Sequence, residues 1–162
     1  MRKRIIELLK KDARYTPEDI AKMLDTSEDI IKKEISKLEN EKIIVQYSAV
    51  INDEKLNGNG SVTAFIEVKV TPERDKGFDD IANRLEKFPE VQSVYLMSGA
   101  YDLLVVVQGD SLKEVARFVS EKLAPFGNVL STATHFLLKK YKENGILMEQ
   151  DIPEPSRLKV VF

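Results

Sequence analysis

The sequence predicts an α+β protein in two parts, and three observations carry that prediction. The first third is helical, with explicit helix starts; an Asn- and Gly-rich break follows at 53–61; beyond it, apolar segments come in the order β-α-β-β-α-β. At 162 residues the chain has room for two small domains, and 43 % hydrophobic residues can fill their cores. The expected boundaries are a first domain at 1–52, a linker at 53–61, a second domain at 62–141 and a C-terminal tail at 142–162.

Each element has its own signal. Ile5, Leu8 and Leu9 give helix one an apolar face. Helix two starts at Thr16 as N-cap, with Pro17 at its first position and Asp19 three residues after the cap. Its apolar residues are Ile20, Ala21, Met23 and Leu24. Helix three starts at Ser27, with Glu28 and Asp29 suited to its positive dipole end, and runs to about Asn40. Only Asp25 and Thr26 separate helices two and three, which is the tight connection of a helix-turn-helix. The β-branched and aromatic run from Ile43 to Ile51 predicts one or two short strands, a wing.

In the second part, Ser61 to Val70 alternates and reads as a strand. Phe78, Ile81, Ala82, Leu85 and Phe88 recur at helical spacing. Strands are expected at Val91 to Met97 and Leu103 to Val107, then a helix capped by Ser111 and using Leu112, Val115, Ala116, Val119 and Leu123. Pro125 and Gly127 follow its end, and Val129 to Tyr141 reads as a long last strand. This order is that of a ferredoxin-like fold, an antiparallel sheet with both helices on one face.

A sheet covered on one face should alternate apolar and polar residues, but Leu103-Leu104-Val105-Val106-Val107 does not. The last strand is mixed as well, with Val129, Ala133 and Leu137 on one side and Leu130, Phe136 and Leu138 on the other, and Phe65 opposes Val62, Ala64, Ile66 and Val68. The second face therefore needs a cover. A partner subunit is the economical answer, and the tail folding back is the alternative.

Composition excludes several chemistries. With no Cys there is no disulfide, thiol nucleophile or thiolate metal site. His135 is the one histidine, with no companion ligands at metal spacing, and reads as a core or interface residue; no catalytic group, metal site or cofactor is expected. No apolar run approaches the ~18 residues needed to span a bilayer. The basic N-terminus lacks the apolar stretch of a signal peptide, so a cytoplasmic protein without membrane partners is expected. Net charge is −2, divided as 11 Lys/Arg against 10 Asp/Glu in residues 1–50 and 14 against 17 thereafter.

On helix three, Ile31, Ile35 and Leu38 fall on one stripe at about 100° per residue. The opposite face carries Asp29, Lys33, Ser36 and Asn40, flanked by Lys32 and Lys37. Ser27, Lys32, Lys33, Ser36 and Lys37 suit contacts to phosphates or base edges of double-stranded DNA, with Thr16 at the start of helix two beside them. Glu28 and Asp29 either accept from a cytosine amino group or only complement the helix dipole. In Met97-Ser98-Gly99-Ala100-Tyr101-Asp102, Gly99 permits an unusual backbone, and Asp102 can accept from an amine or from loop N–H groups; a plain hairpin turn satisfies the same residues.

Taken in order, these residues resemble the Lrp/AsnC family of prokaryotic transcription regulators. The resemblance runs through Arg4 to Leu9, Asp19 to Leu24, Ile35 to Ile44, Tyr47 to Asn52, Phe88 to Val91, Ser98 to Leu103 and Ser131 to Thr134. It implies a homodimer that assembles further into tetramers or octamers, paired helix-turn-helix units on DNA, and a small effector, an amino acid, bound between second domains. By that resemblance Ser98, Gly99, Ala100, Tyr101 and Asp102 line the effector region, with Thr132 and Thr134 contributing from the last strand. Two alternatives remain open. One is an amino-acid sensor acting on a protein partner, since helix three holds three Lys against four acidic residues. The other is an enzyme like the siroheme decarboxylases, which resemble this family in architecture.

Overall fold

A computed structural model describes residues 1–56, 61–71 and 77–149. The chain divides into two compact units, Met1–Val50 and Ile51–Phe162. The expected linker falls partly outside the described residues, at 57–60, and the expected tail does so at 150–162.

The first unit holds α1 (Arg2–Lys11), α2 (Pro17–Leu24) and α3 (Glu28–Asn40). Thr16 opens α2 with a capping box: the Asp19 N–H donates to Thr16 Oγ1 at 3.2 Å, and the Thr16 N–H donates to Asp19 Oδ2 at 3.0 Å. The helix stops at Asp25, whose φ of 51° is left-handed, and the Asp25 and Thr26 N–H groups both close on the Ala21 carbonyl. That reversal turns α3 back across α2. Ile5, Ile20, Ala21, Ile31 and Leu38 are buried together, one or two from each helix. Arg2 bridges α1 to α3, at 3.6 Å from Glu34 and 2.7 Å from Glu41.

No strand forms over the run from Ile43 to Ile51, so the expected wing is absent among the described residues. The Ile43 and Ile44 N–H groups bond back to the Leu38 carbonyl, and the Tyr47 hydroxyl donates to Glu39 at 2.9 Å. β-branched residues favour extended backbone, but a strand also needs a neighbour to pair with. The part from Ile43 to Tyr47 folds back on the end of α3 instead.

The second unit opens with a 3-10 turn at Asp53–Lys55. It continues through β1 (Val62–Val70), α4 (Asp79–Leu85), β2 (Val91–Leu96), β3 (Leu103–Gly109) and α5 (Leu112–Arg117), which runs on as a π-helical turn (Phe118–Leu123). β4 (Val129–Phe136) completes an antiparallel sheet of order β2-β3-β1-β4, the ferredoxin-like arrangement. Alternate residues Ala64, Ile66, Val68 and Val70 of β1 and Leu103, Val105 and Val107 of β3 are buried with Ile81 and Leu85 of α4 and with Val115, Phe118 and Leu123 of α5 and its continuation. Phe65, Leu104 and Val106 are half-buried and face the other way, so the unbroken apolar run in β3 serves both faces of the sheet.

Two differences from expectation have simple causes. β4 ends at Phe136 rather than Tyr141 because its partner β1 runs out: Phe136 pairs with Ala64, two residues from the start of β1. Beyond it a small hairpin forms, β5 (Lys142–Glu143) and β6 (Ile146–Leu147), turning at Asn144 and Gly145 with φ of 50° and 84°. No helix among the described residues is long and apolar enough to cross a membrane.

Candidate nucleic-acid interface and effector region

The residues expected to read DNA divide into committed and uncommitted groups. Thr16 is committed: its hydroxyl donates to Asp19 Oδ2 at 2.7 Å and accepts the cap bond. Lys32 Nζ lies 2.8 Å from Glu28 Oε1, and Lys37 Nζ lies 2.7 Å from Glu34 Oε1. These pairs hold both ammonium groups along the helix surface; Lys37 pulls the Glu34 carboxyl below its ordinary value, and Glu28 raises Lys32. Exposed pairs of this kind are weak, and a phosphate can displace the carboxylate. Ser27, Lys33 and Ser36 are exposed, and their side chains make no hydrogen bond or ion pair among the described residues. Ser27 sits at the N-cap position without making a side-chain cap bond. The outward face of α3 therefore presents the Ser36 hydroxyl and the unpaired Lys33 ammonium, bordered by two paired ammonium groups, and the Ser27 hydroxyl stands at the helix N-terminus. Ile30 at the same end is 44 % exposed, a side chain that the apolar-stripe argument passes over because it lies one residue off the packed stripe.

In the second unit, the β2–β3 turn is fastened by Asp102. The Met97 N–H donates to the Asp102 carbonyl at 2.8 Å, the Asp102 N–H to the Val68 carbonyl at 3.1 Å, and the Val70 N–H to Asp102 Oδ2 at 2.9 Å. The β1–β3 pairing ends at Val68–Leu103, and a register shift in β1–β4 falls between Lys69 and Val70. The Asp102 carboxylate takes over where the ladder lapses. Ser98, Gly99 and Ala100 are exposed, and Tyr101 and Asp102 are half-buried. Gly99 has φ of 158°, and a Cβ there would meet nothing within 4 Å.

Thr132 pairs with Val68, which on its other side pairs with Leu103. Thr132 thus lies about two strand spacings, ~10 Å, from the residue after Asp102, at the same end of the sheet. Thr134 pairs with Ile66, two residues further in. Directly opposed residues share a face, so both threonines lie on the helix-bearing side, half-exposed on the edge strand. His135 lies on the other face, 60 % exposed and 3.3 Å from Glu67. A cavity of about 560 Å³ opens near the far end of the sheet, lined by Glu90, Gln108, Asp110, Arg117 and Glu121 among others; none of the expected effector residues lines it.

Comparison with known proteins gives a consistent picture. Residues 63–147 match the Lrp/AsnC ligand binding domain. The chain is 52 % identical over 145 residues to the uncharacterized HTH-type transcriptional regulator YugG of Bacillus subtilis, covering 90 % of this chain and 87 % of that one. It is 32 % identical over 141 residues to the HTH-type transcriptional regulator FL11 of Pyrococcus furiosus, covering 87 % and 89 %. Among solved structures, the transcriptional regulator NMB0573 of Neisseria meningitidis, in complex with L-Met, superposes with a TM-score of 0.71 at 26 % identity, covering 88 % of this chain and 90 % of the other.

Proposed function

This chain belongs to the Lrp/AsnC family of transcription regulators, and from that premise we propose that it binds double-stranded DNA through α3 and responds to an amino acid held at the β2–β3 turn. The relatives are named as regulators, not enzymes, so a tetrapyrrole-processing activity is set aside. The observation that carries the DNA half is the outward face of α3, where Lys33 and Ser36 stand uncommitted, with Ser27 at the helix N-terminus. A hydroxyl and an ammonium on one helix face suit phosphate oxygens and base edges. The effector half rests on the matched ligand-binding domain and on the Asp102 turn lying at one end of the sheet with Thr132. NMB0573 was solved with L-Met, which makes methionine the first amino acid to try. The exposed turn of a single chain supports a site completed by a second copy. The apolar open face of Phe65, Leu104 and Val106 supports a homodimer as the basic assembly, with tetramers or octamers built from it.

The test is titration of a labelled duplex carrying the chain's own upstream region at stepped salt. Affinity should fall steeply with salt, and Lys33→Glu should weaken binding and lower the salt slope by about 1 without changing the oligomer. Salt-insensitive binding, or an unchanged Lys33→Glu variant, refutes α3 as the reader. Alongside it, a thermal-shift screen of the twenty amino acids should find one that stabilises the second unit, by ~2.7 kcal/mol at a hundredfold excess over Kd. No shift with any of them refutes the amino-acid reading. The pairing of Lys32 and Lys37 with Glu28 and Glu34 favours one second reading, a sensor acting on a protein partner. Specific capture of a partner without DNA, combined with absent DNA binding, would select it.

A further inference from the structure

α3 carries one large apolar side chain that its own unit does not bury. Ile30 stands in the first turn of the helix, two residues after Glu28, and is exposed, while Ile31 beside it is fully buried with Ile5, Ile20, Ala21 and Leu38. Steps of three and four residues place Ile30, Lys33 and Lys37 on one ridge of the helix, within an arc of ~60° at about 100° per residue. Lys33 follows Ile30 by ~4.5 Å along the axis and Lys37 by ~10.5 Å, at ~1.5 Å per residue. The ridge thus runs from an apolar tip near the N-terminus to two ammonium groups, Lys33 unpaired among the described residues and Lys37 on Glu34. Glu34, one turn on from Ile30, is held between Lys37 at 2.7 Å and Arg2 at 3.6 Å.

Neither helix propensity nor packing within the unit accounts for Ile30. A β-branched residue is a poorer helix former than alanine, and the core stripe of α3 is filled by Ile31, Ile35 and Leu38. A helix laid in the major groove presents its N-terminal residues to base edges, while cations further along it reach phosphates. An apolar tip in that position meets a base edge, and the base pairs offer one apolar group there, the thymine C5-methyl. Against any other edge, Ile30 would strip water from polar base atoms and give no hydrogen bond in return. We propose that Ile30 is a specificity-determining residue that packs on a thymine methyl in the major groove, with Lys33 and Lys37 seated on phosphates of the same stretch. This rests on the reading of α3 as the DNA reader. Taking one methyl out of such a contact should weaken binding about fourfold, the worth of one buried methylene.

The probe is a duplex that the wild-type full chain selects from a random pool, with its thymines replaced one at a time by deoxyuridine, which removes the methyl and keeps the base pair. At one thymine of each reading unit's site, the wild-type chain should bind the uridine duplex about fourfold more weakly. Ile30→Ala should bind the two duplexes equally at that position, and Ile30→Val, one carbon shorter, should keep part of the difference. Alanine is the better helix former, so Ile30→Ala leaves α3 intact, which its melting temperature checks. Lys33→Ala should bind every duplex more weakly and with a smaller salt slope, yet keep the wild-type ratio of thymine to uridine affinity. A merely structural role for Ile30 would not move that ratio. A uridine penalty that persists undiminished in Ile30→Ala, or wild-type binding in which no thymine carries a penalty, overturns the proposal and leaves α3 as the reader. If the wild-type chain selects no duplex, the reading of α3 fails and the proposal fails with it.

Discussion

Replacing Asp102 separates a structural bond from a ligand contact. Its Oδ2 accepts the Val70 N–H at 2.9 Å, where the strand ladder has lapsed. A hydrogen bond to a charged acceptor is worth about 1.5–3 kcal/mol, and water reaches this half-buried site, so the lower end applies to Asp102→Ala. Charge-assisted bonds are roughly twice as strong as neutral ones, so Asp102→Asn, which keeps an oxygen there, should lose about half as much. For a unit of about a hundred residues, ~1.5 kcal/mol corresponds to a fall in Tm of ~6–12 °C. Thermal unfolding followed by circular dichroism reads this directly, and amide exchange at Val70 locates it. Asp102 Oδ1 accepts no hydrogen bond among the described residues, and so stands ready for an ammonium group. Under the proposed effector reading, the asparagine variant should keep most of its stability yet lose the thermal shift given by the stabilising amino acid. An alanine variant that melts within a degree or two of wild type, with unchanged exchange at Val70, refutes the argument.

Three further predictions concern the first unit. Ile31 is fully buried, and Ile31→Ala should cost about 2–5 kcal/mol, against a total of about 2.5–7.5 kcal/mol for fifty residues at 0.05–0.15 each. Denaturant titration should then show the first unit melting apart from the second, and a single unshifted transition contradicts this. Arg14 bonds to the Asp12 carboxyl and lowers it to about 2 from an ordinary 3.8. A depressed carboxyl stabilises the fold above its unfolded value, and that contribution is lost as pH falls from the ordinary value through about 2. Asp12→Asn should flatten the acid limb of the first unit's stability curve there; an unchanged limb refutes the pairing. Asp25 holds φ of 51°, so Asp25→Gly should stabilise the α2–α3 turn by up to about 1 kcal/mol, and a lower melting temperature would count against this reading of the turn.

What the sequence made legible was local. The Thr16-Pro17-Asp19 start of α2 and the Ser111 cap of α5 are decided within four residues, and both form as expected. The strand order follows from apolar runs that only a two-faced sheet can bury. What stayed hidden depends on neighbours distant in sequence. Ile43 to Ile51 has strand composition but no pairing partner, and β4 stops where β1 does. The expected helix from Phe78 to Phe88 ends at Leu85, and Phe88 instead sets its ring edge-on to Phe118 and Phe126. Asn144-Gly145 is a hairpin signal that stands in plain view, but its flanking strands are too short to announce themselves. At the candidate sites the residue types could be read, and Thr16, Lys32 and Lys37 lie only three or four residues from the carboxylates that hold them. The Asp102 bond to Val70 could not be read, because it joins residues 32 apart.

The strand order β2-β3-β1-β4 also has a consequence in time. The three helices of the first unit touch neighbours that are close in sequence, and such units fold in roughly microseconds to milliseconds. The central strand β1 completes its pairing only when the last strand of the sheet arrives. At ~5–20 residues per second, the roughly ninety residues from the end of the first unit to Phe136 take about 4–18 s to synthesise. A nascent chain therefore carries a finished helical unit for many seconds before its own sheet can close. During that interval β1, paired with β3 alone, has an open edge, and its natural mate is still being made.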